Sequence, residues 1–285
     1  MILVPAGTPN DVDGRGSSTG GWVIGTLKTD EPWCRQACQR LGCVVVNVDY
    51  RLAPEFPHPT QVWDCFAVMK WVVAHADTLQ VDITRMSVGG GSAGGHLSAV
   101  VALLARDDPE IPPLKLQLLI VPATDARYMP IEGSADPSVP YETYITCEHA
   151  PCLPLQRMVW FHALWLGTMP GSILLESLHP RVCSGTDASP NIDTRYKLAH
   201  DWLASPILAP SHANLAPAFF TCAEYDVLTS EGVAYHNLLT KAGTPSRLKI
   251  YPGVCHPFAH WDGELDQAKE WVDDTIAALK EAYKL

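Results

Sequence analysis

One stretch constrains this chain more than any other: Met86-Ser87-Val88-Gly89-Gly90-Gly91-Ser92-Ala93-Gly94-Gly95-His96, an apolar strand end that runs through glycines into a serine and then a helix. Within it Gly90, Ser92 and Gly94 form a G-x-S-x-G pattern, the mark of a serine held on a sharp strand-to-helix turn. A turn that lifts the hydroxyl clear of a sheet brings neighbouring backbone very close, so residues without Cβ are expected at its flanks. The following helix aims its unpaired N–H groups at any anion that forms near the serine. Such a turn needs a parallel sheet behind it, and the rest of the chain supplies the pattern for one.

Residues 43–49, Cys-Val-Val-Val-Asn-Val-Asp, are a β-branched run without alternation and predict a strand buried on both faces. Before it, Asp30 is placed to cap a helix over 30–41 that Gly42 stops. After it, 60–76 predicts a helix with Val62, Phe66, Met69, Val72 and Val73 on one side. The helix behind Ser92 is expected to run to about Arg106, and 114–121 reads as another buried strand. Further on come a strand over 216–223, a helix over 230–241, a strand over 247–251 and a closing helix over 264–283. This alternation predicts an α/β class with a mostly parallel central sheet flanked by helices. The rhythm breaks over 126–201, which is rich in proline and aromatics and has a helical pattern near 155–166. The expectation is one domain over 1–285 with a helical cap inserted at about 126–201.

Composition narrows the function. A hydrophobic content of 47% over 285 residues supports a large core. A formal charge of −11 and a pI near 5.4 exclude the basic face that a nucleic-acid partner requires. No apolar run approaches the roughly 20 residues that span a bilayer, and the start of the chain lacks a signal-peptide pattern, so a soluble, cytoplasmic protein without stable membrane insertion is expected. The nine cysteines are scattered without C-x-x-C spacing, which favours reduced thiols and offers no metal set.

If Ser92 is a nucleophile it needs a base and an acid to orient that base, both just past the C-terminal ends of strands. Asp226 follows the apolar strand through Ala223 and the turn Glu224-Tyr225, and His256 follows Tyr251-Pro252-Gly253-Val254-Cys255. They arrive in the chain order Ser, Asp, His. Glu224 competes with Asp226 for the acid, and His260 and His96 compete with His256 for the base. His96, on the apolar helix behind the serine, reads as a core residue.

Gly90-Gly91-Ser92-Ala93-Gly94-Gly95, Tyr50-Arg51-Leu52-Ala53-Pro54-Glu55, Ala223-Glu224-Tyr225-Asp226-Val227-Leu228 and Tyr251-Pro252-Gly253-Val254-Cys255-His256 together resemble the hormone-sensitive-lipase family of α/β-hydrolases. The resemblance covers nearly everything from Gly20 to the C-terminus. It implies a carboxylic ester hydrolase that works through an acyl-enzyme, with Ser92 as nucleophile, His256 as base and Asp226 as orienter. Backbone N–H groups of Gly20, Gly21 and Ala93 would form the oxyanion hole, and no cofactor is needed. The substrate would be a small-molecule ester, and a homodimer is compatible with the family. The pocket is expected to be lined in part by Trp160, Phe161 and Trp165, favouring short-to-medium apolar acyl groups, unless these three are helix core.

Two departures stand out. Gly91 replaces the family's usual Asp before the nucleophile, and Ser18-Thr19-Gly20-Gly21 stands where the family carries His-Gly-Gly-Gly behind an interior strand. Residues 11–17 have no apolar run for that strand, and only residues 2–4 upstream suggest a short one. The expectation is therefore that about ten residues are missing, along with N-terminal cap helices. Neighbouring strands would then be left unpaired, at roughly 1 to 3 kcal/mol per orphaned group, and the Gly20-Gly21 loop would lose its support. Two other readings stay open: a catalytically impaired member that binds a small hydrophobic ligand, as plant hormone receptors resembling this family do, and an esterase dedicated to a secondary-metabolite ester.

Overall fold

The computed structural model describes residues 2–5, 20–130, 134–167 and 192–285. Six strands form one sheet: β1 Ile2–Pro5, β2 Cys43–Val46, β3 Ser87–Gly91, β4 Gln117–Ile120, β5 Ala218–Tyr225 and β6 Ser246–Cys255, in the order β2-β1-β3-β4-β5-β6. Strands β3 to β6 are parallel, and β1 is antiparallel to both of its neighbours. The helices are α1 Glu31–Leu41, α2 Thr60–Ala74, α3 Ala76–Leu79, α4 Ala93–Asp107, α5 Thr143–Thr146, α6 Leu155–Trp165, α7 Ile192–Ala199, α8 Thr229–Lys241 and α9 Asp266–Tyr283.

Local chemistry accounts for the ends of these elements. Helix α1 opens on Glu31 and Pro32 and stops at Gly42, whose left-handed φ of 59° lets its N–H reach the Cys38 carbonyl at 3.0 Å. Asp30 stands at the start of α1 but its side chain makes no capping bond; it turns toward His260, 3.9 Å away. Strand β2 ends at Val46, sooner than its apolar run predicts, and only Cys43 in it is fully buried. Strand β4 is likewise trimmed to four residues, all buried, whereas β6 runs on to Cys255. In α2, Val62, Met69 and Val72 are buried as expected, while Phe66 and Val73 are only half-buried.

Helix α4 is apolar nearly all round because it is packed on nearly all sides. One core joins it to α2 and β3 through Met69, Met86, Val88 and Val101. Another joins it to β5 and α8 through Leu103, Phe220 and Tyr235. The opposite sheet face is covered by α1 and α9, with Trp33, Leu118, Trp271 and Leu279 buried together. Between β4 and β5 the described residues carry helices and no strand, and Tyr144, Leu155, Phe161 and Trp165 pack there over Trp22 and Leu97.

The sheet corrects one expectation. The position between β2 and β3 is filled by β1, which pairs Ile2 with Val46 and Val88 and Leu3 with Val45 and Ser87. Neighbouring backbone is therefore not left open there; an extended segment running in the opposite direction satisfies the same ladder. Residues 11–18, where the absence of a strand was read from the sequence, lie outside the described residues. No helix among the described residues is long and apolar enough to cross a membrane.

Candidate active site

The parallel strands aim their C-terminal ends at one place, and the singled-out residues sit there. Ser92 follows β3 directly, with φ 55° and ψ −116°, a region that costs a non-glycine residue ~1–3 kcal/mol. The strain is held by its surroundings. The Ser92 N–H donates to the Ile120 carbonyl at 2.8 Å, and the Ser92 carbonyl accepts from the His96 N–H at 3.0 Å. A Cβ on Gly90 would lie 2.7 Å from the backbone of Gly94, so this flank has room only for glycine.

The candidate acid and base come from the last two strands. Tyr225 of β5 pairs with Cys255 of β6, beyond an irregularity in their register, and the residues that follow this pair are Asp226 and His256. The sheet thus sets them side by side, with His256 Nδ1 2.7 Å from Asp226 Oδ2. The other carboxylate oxygen accepts the Leu228 N–H at 3.0 Å, and the Asp226 side chain is wholly buried. A carboxylate accepts here, so Nδ1 carries the proton and Nε2 is left as the basic nitrogen. Glu224 is used elsewhere: it accepts the Gly253 N–H at 2.7 Å and braces the turn before His256.

Ser92, His256, Gly20 and Gly21 line one cavity of about 310 Å³. Phe161 closes one side; Asp30, His260 and Arg157 give another side its polar groups. His260 faces Asp30, not Asp226, and burial pushes its imidazole below the usual range, against the pull of Asp30. Ala93, the first residue of α4, is fully buried beside Ser92. Among the described residues no group of His, Cys, Asp and Glu could hold a metal ion.

Residues 19–183 and 192–260 match the family described as alpha/beta hydrolase fold. The chain belongs to this family. An AB hydrolase superfamily protein of Schizosaccharomyces pombe is 35% identical to it over 93% of this chain and 68% of that protein. The carboxylesterase NlhH of Mycobacterium tuberculosis is 34% identical over 92% of this chain and 71% of its own length. An esterase structure from Pyrobaculum calidifontis superposes with a TM-score of 0.73 at 32% identity, covering 95% of this chain and 78% of that one. The resemblance to hormone-sensitive lipases read from four motifs is thereby borne out, and this α/β-hydrolase is an enzyme of the hydrolase class.

In this α/β-hydrolase the Gly20-Gly21 loop is held, among the described residues, by its own turn and by Trp22. The Gly20 carbonyl accepts from Val23 and Ile24 at 3.0 and 2.9 Å, closing a turn on itself, and the Trp22 carbonyl accepts the Ala53 N–H at 3.0 Å. Trp22 is the anchor: it is buried, stacks on Trp165 at 3.9 Å between ring centroids, and donates Nε1–H to His96 Nδ1 at 3.1 Å. His96 Nε2 then donates to the Leu203 carbonyl at 3.0 Å. Its ring is thereby held neutral in a single tautomer, with burial pushing its pKa down to about 3. His96 is thus a satisfied core group, as its place on the apolar helix predicts.

The three cap aromatics divide. Phe161 lines the cavity, with its ring where a Cβ on Gly21 would stand 2.3 Å away. Trp165 is instead fully buried, stacked on Trp22, and Trp160 is 43% exposed; neither lines the cavity. Residue 160 is turned about 100° from 161 around the helix, whereas 165 shares the face of 161 one turn on and is covered by Trp22. Sequence reasoning missed Trp22 as the loop's anchor and Asp30, Arg157 and His260 as the cavity's polar groups. The glycine pair immediately before a tryptophan was the available signal for the first. For the others there was none, since they meet from distant segments.

Proposed function

We propose that this α/β-hydrolase is a serine carboxylic ester hydrolase that acts through an acyl-enzyme on esters with short-to-medium apolar acyl groups. The observation that carries the reading is the His256–Asp226 pair of 2.7 Å at the ends of β5 and β6, opening on the same cavity as Ser92. Esterase relatives over most of the chain support it.

In this reading His256 Nε2 takes the Ser92 hydroxyl proton as Oγ attacks the ester carbonyl. Asp226 holds the tautomer and stabilises the imidazolium. The N–H groups of Ala93, Gly20 and Gly21 receive the oxyanion, at about 3 kcal/mol for each well-aimed donor. Alcohol departs with the proton from His256, and water, deprotonated by the same nitrogen, releases the acid. Residues 126–201 form a cap whose Phe161 supplies an apolar wall, and the whole chain acts as one domain.

Purified protein should hydrolyse p-nitrophenyl butyrate, and Ser92→Ala should lower kcat by at least about 10³-fold. A folded protein without turnover overturns the reading and favours a small-ligand binder.

A further inference from the structure

Two cysteines that the reaction does not use meet at the wall of this cavity, one of them lining it and the other next to His256. Cys152 lines the cavity, is exposed, and has its backbone in the left-handed region at φ 66°. Cys255 ends β6 immediately before His256 and is half-buried. Their sulfurs are 4.0 Å apart, the Cys255 thiol directed at Cys152 Sγ. The contact joins two separate parts of the fold. Cys152 lies on the turn that leads into α6, where its carbonyl accepts from Arg157 Nη1; Cys255 lies on the sheet edge that positions the His256–Asp226 pair.

We propose that Cys152 and Cys255 are a redox modification site: a reversible disulfide that ties the cavity wall to the loop carrying His256 and lowers turnover. A disulfide needs the sulfurs at about 2.05 Å, and nothing has to be displaced from between two sulfurs already in contact. The oxidant is a low-molecular-weight disulfide of the glutathione type. The Cys152 thiolate attacks one sulfur of it, forming a mixed disulfide and expelling one glutathione thiolate. The Cys255 thiolate then attacks the Cys152 sulfur, closing the protein disulfide and expelling the second glutathione thiolate. Two protein thiols are oxidised, one small disulfide is reduced to two thiols, and the two protons go to the departing thiolates.

The order follows from exposure. Cys152 is open to solvent, while burial and the neighbouring Cys152 push the Cys255 thiol up to about 11, so Cys255 is the resolving partner. Closure ties the turn at Cys152 and Leu153 to the strand end before His256, three residues that line or border the cavity, which restricts the cavity and the freedom of the base. That consequence rests on the esterase reading; the disulfide itself does not.

The whole chain is incubated with oxidised glutathione, alkylated and digested, and the same sample is assayed on p-nitrophenyl butyrate before and after dithiothreitol. The expected result is a cross-linked pair of peptides containing Cys152 and Cys255, lighter by two hydrogens, with turnover several-fold below that of the reduced protein and restored by dithiothreitol. Cys152→Ser and Cys255→Ser, each compared with its own reduced form, should lose both the link and the change in rate. A mixed disulfide that stays on Cys152, or links between other cysteines such as Cys38 and Cys43 without the 152–255 pair, overturns the site. A mapped 152–255 link that leaves turnover unchanged overturns the switch. A link in a chain that never turns over ester leaves the disulfide standing and sinks the esterase reading instead.

Discussion

Ser92 sits at a positive φ that only its surroundings enforce, and its partners are held with similar firmness: Asp226 is wholly buried and spends one oxygen on Leu228 and the other on His256. The two oxygens have different jobs, so Asp226→Asn should preserve the fold but present an N–H where an acceptor is needed. The tautomer of His256 is then wrong, and kcat should fall by about 10³ to 10⁴-fold with little change in KM. Steady-state kinetics with an unchanged circular dichroism spectrum check it. The same assay separates the two histidines. His256→Ala should abolish turnover, whereas His260→Ala, which loses a 3.9 Å approach to Asp30, should alter KM more than kcat. If His260→Ala is the dead variant, the base is misassigned. At this scale the candidate positions Ser92, Asp226 and His256 were legible because each follows an apolar run that ends in a turn, a pattern local to the chain. The Asp30–His260 and Cys152–Cys255 approaches were not, since each joins segments whose meeting depends on the complete fold.

Among the elements, the turn at 20–24 carries the greatest weight in the proposed mechanism relative to its size. Its support among the described residues comes from Trp22, stacked on Trp165 of α6 and bonded to α4 through His96. Gly21 has φ 56°, and an added Cβ would fall 2.3 Å from the Phe161 ring of α6. Gly21→Ala therefore meets both a backbone penalty and overpacking worth ~1–3 kcal/mol. The loop should move, and kcat on p-nitrophenyl butyrate should fall on the order of 10²-fold, the loss typical of a missing oxyanion donor; a variant with wild-type kcat removes Gly21 from the machinery. The long amphipathic and buried runs announced α1, α2, α4, α8, α9 and the parallel strands. Their ends shifted by a few residues, as at β2, which stops at Val46, the residue paired with Ile2. The place of β1 was not legible: a four-residue apolar run specifies neither its neighbours nor its direction, and here it completes the sheet antiparallel.

Across the whole molecule, the seam between the sheet with its α4 helix and the segment carrying α6 is filled by aromatics and three buried histidines. His58 and His162 pack edge-on to Trp165 at 4.9 and 5.7 Å, and His96 does so at 5.1 Å. Burial pushes the His58 imidazole down to about 4 and His96 to about 3, and holds His162 well below its ordinary value. In the unfolded chain each returns to about 6.5. Between those limits the unfolded state binds more protons, so stability is full above pH ~6.5 and is lost as pH falls, by up to ~1.4 kcal/mol per pH unit for each histidine. Buried Glu231, whose carboxyl is pushed up by burial and Asp125, acts in the opposite sense, favouring the folded state at low pH and opposing it as pH rises. The histidines outnumber it, so urea unfolding followed by tryptophan fluorescence should show stability declining from pH 6.5 to pH 4.5. Neither ring nitrogen of His58 has a hydrogen-bond partner among the described residues. His58→Leu therefore removes a titrating group without orphaning an acceptor, and should flatten that decline whatever it does to stability at pH 7. An unchanged slope in the variant would place the acid sensitivity outside this seam.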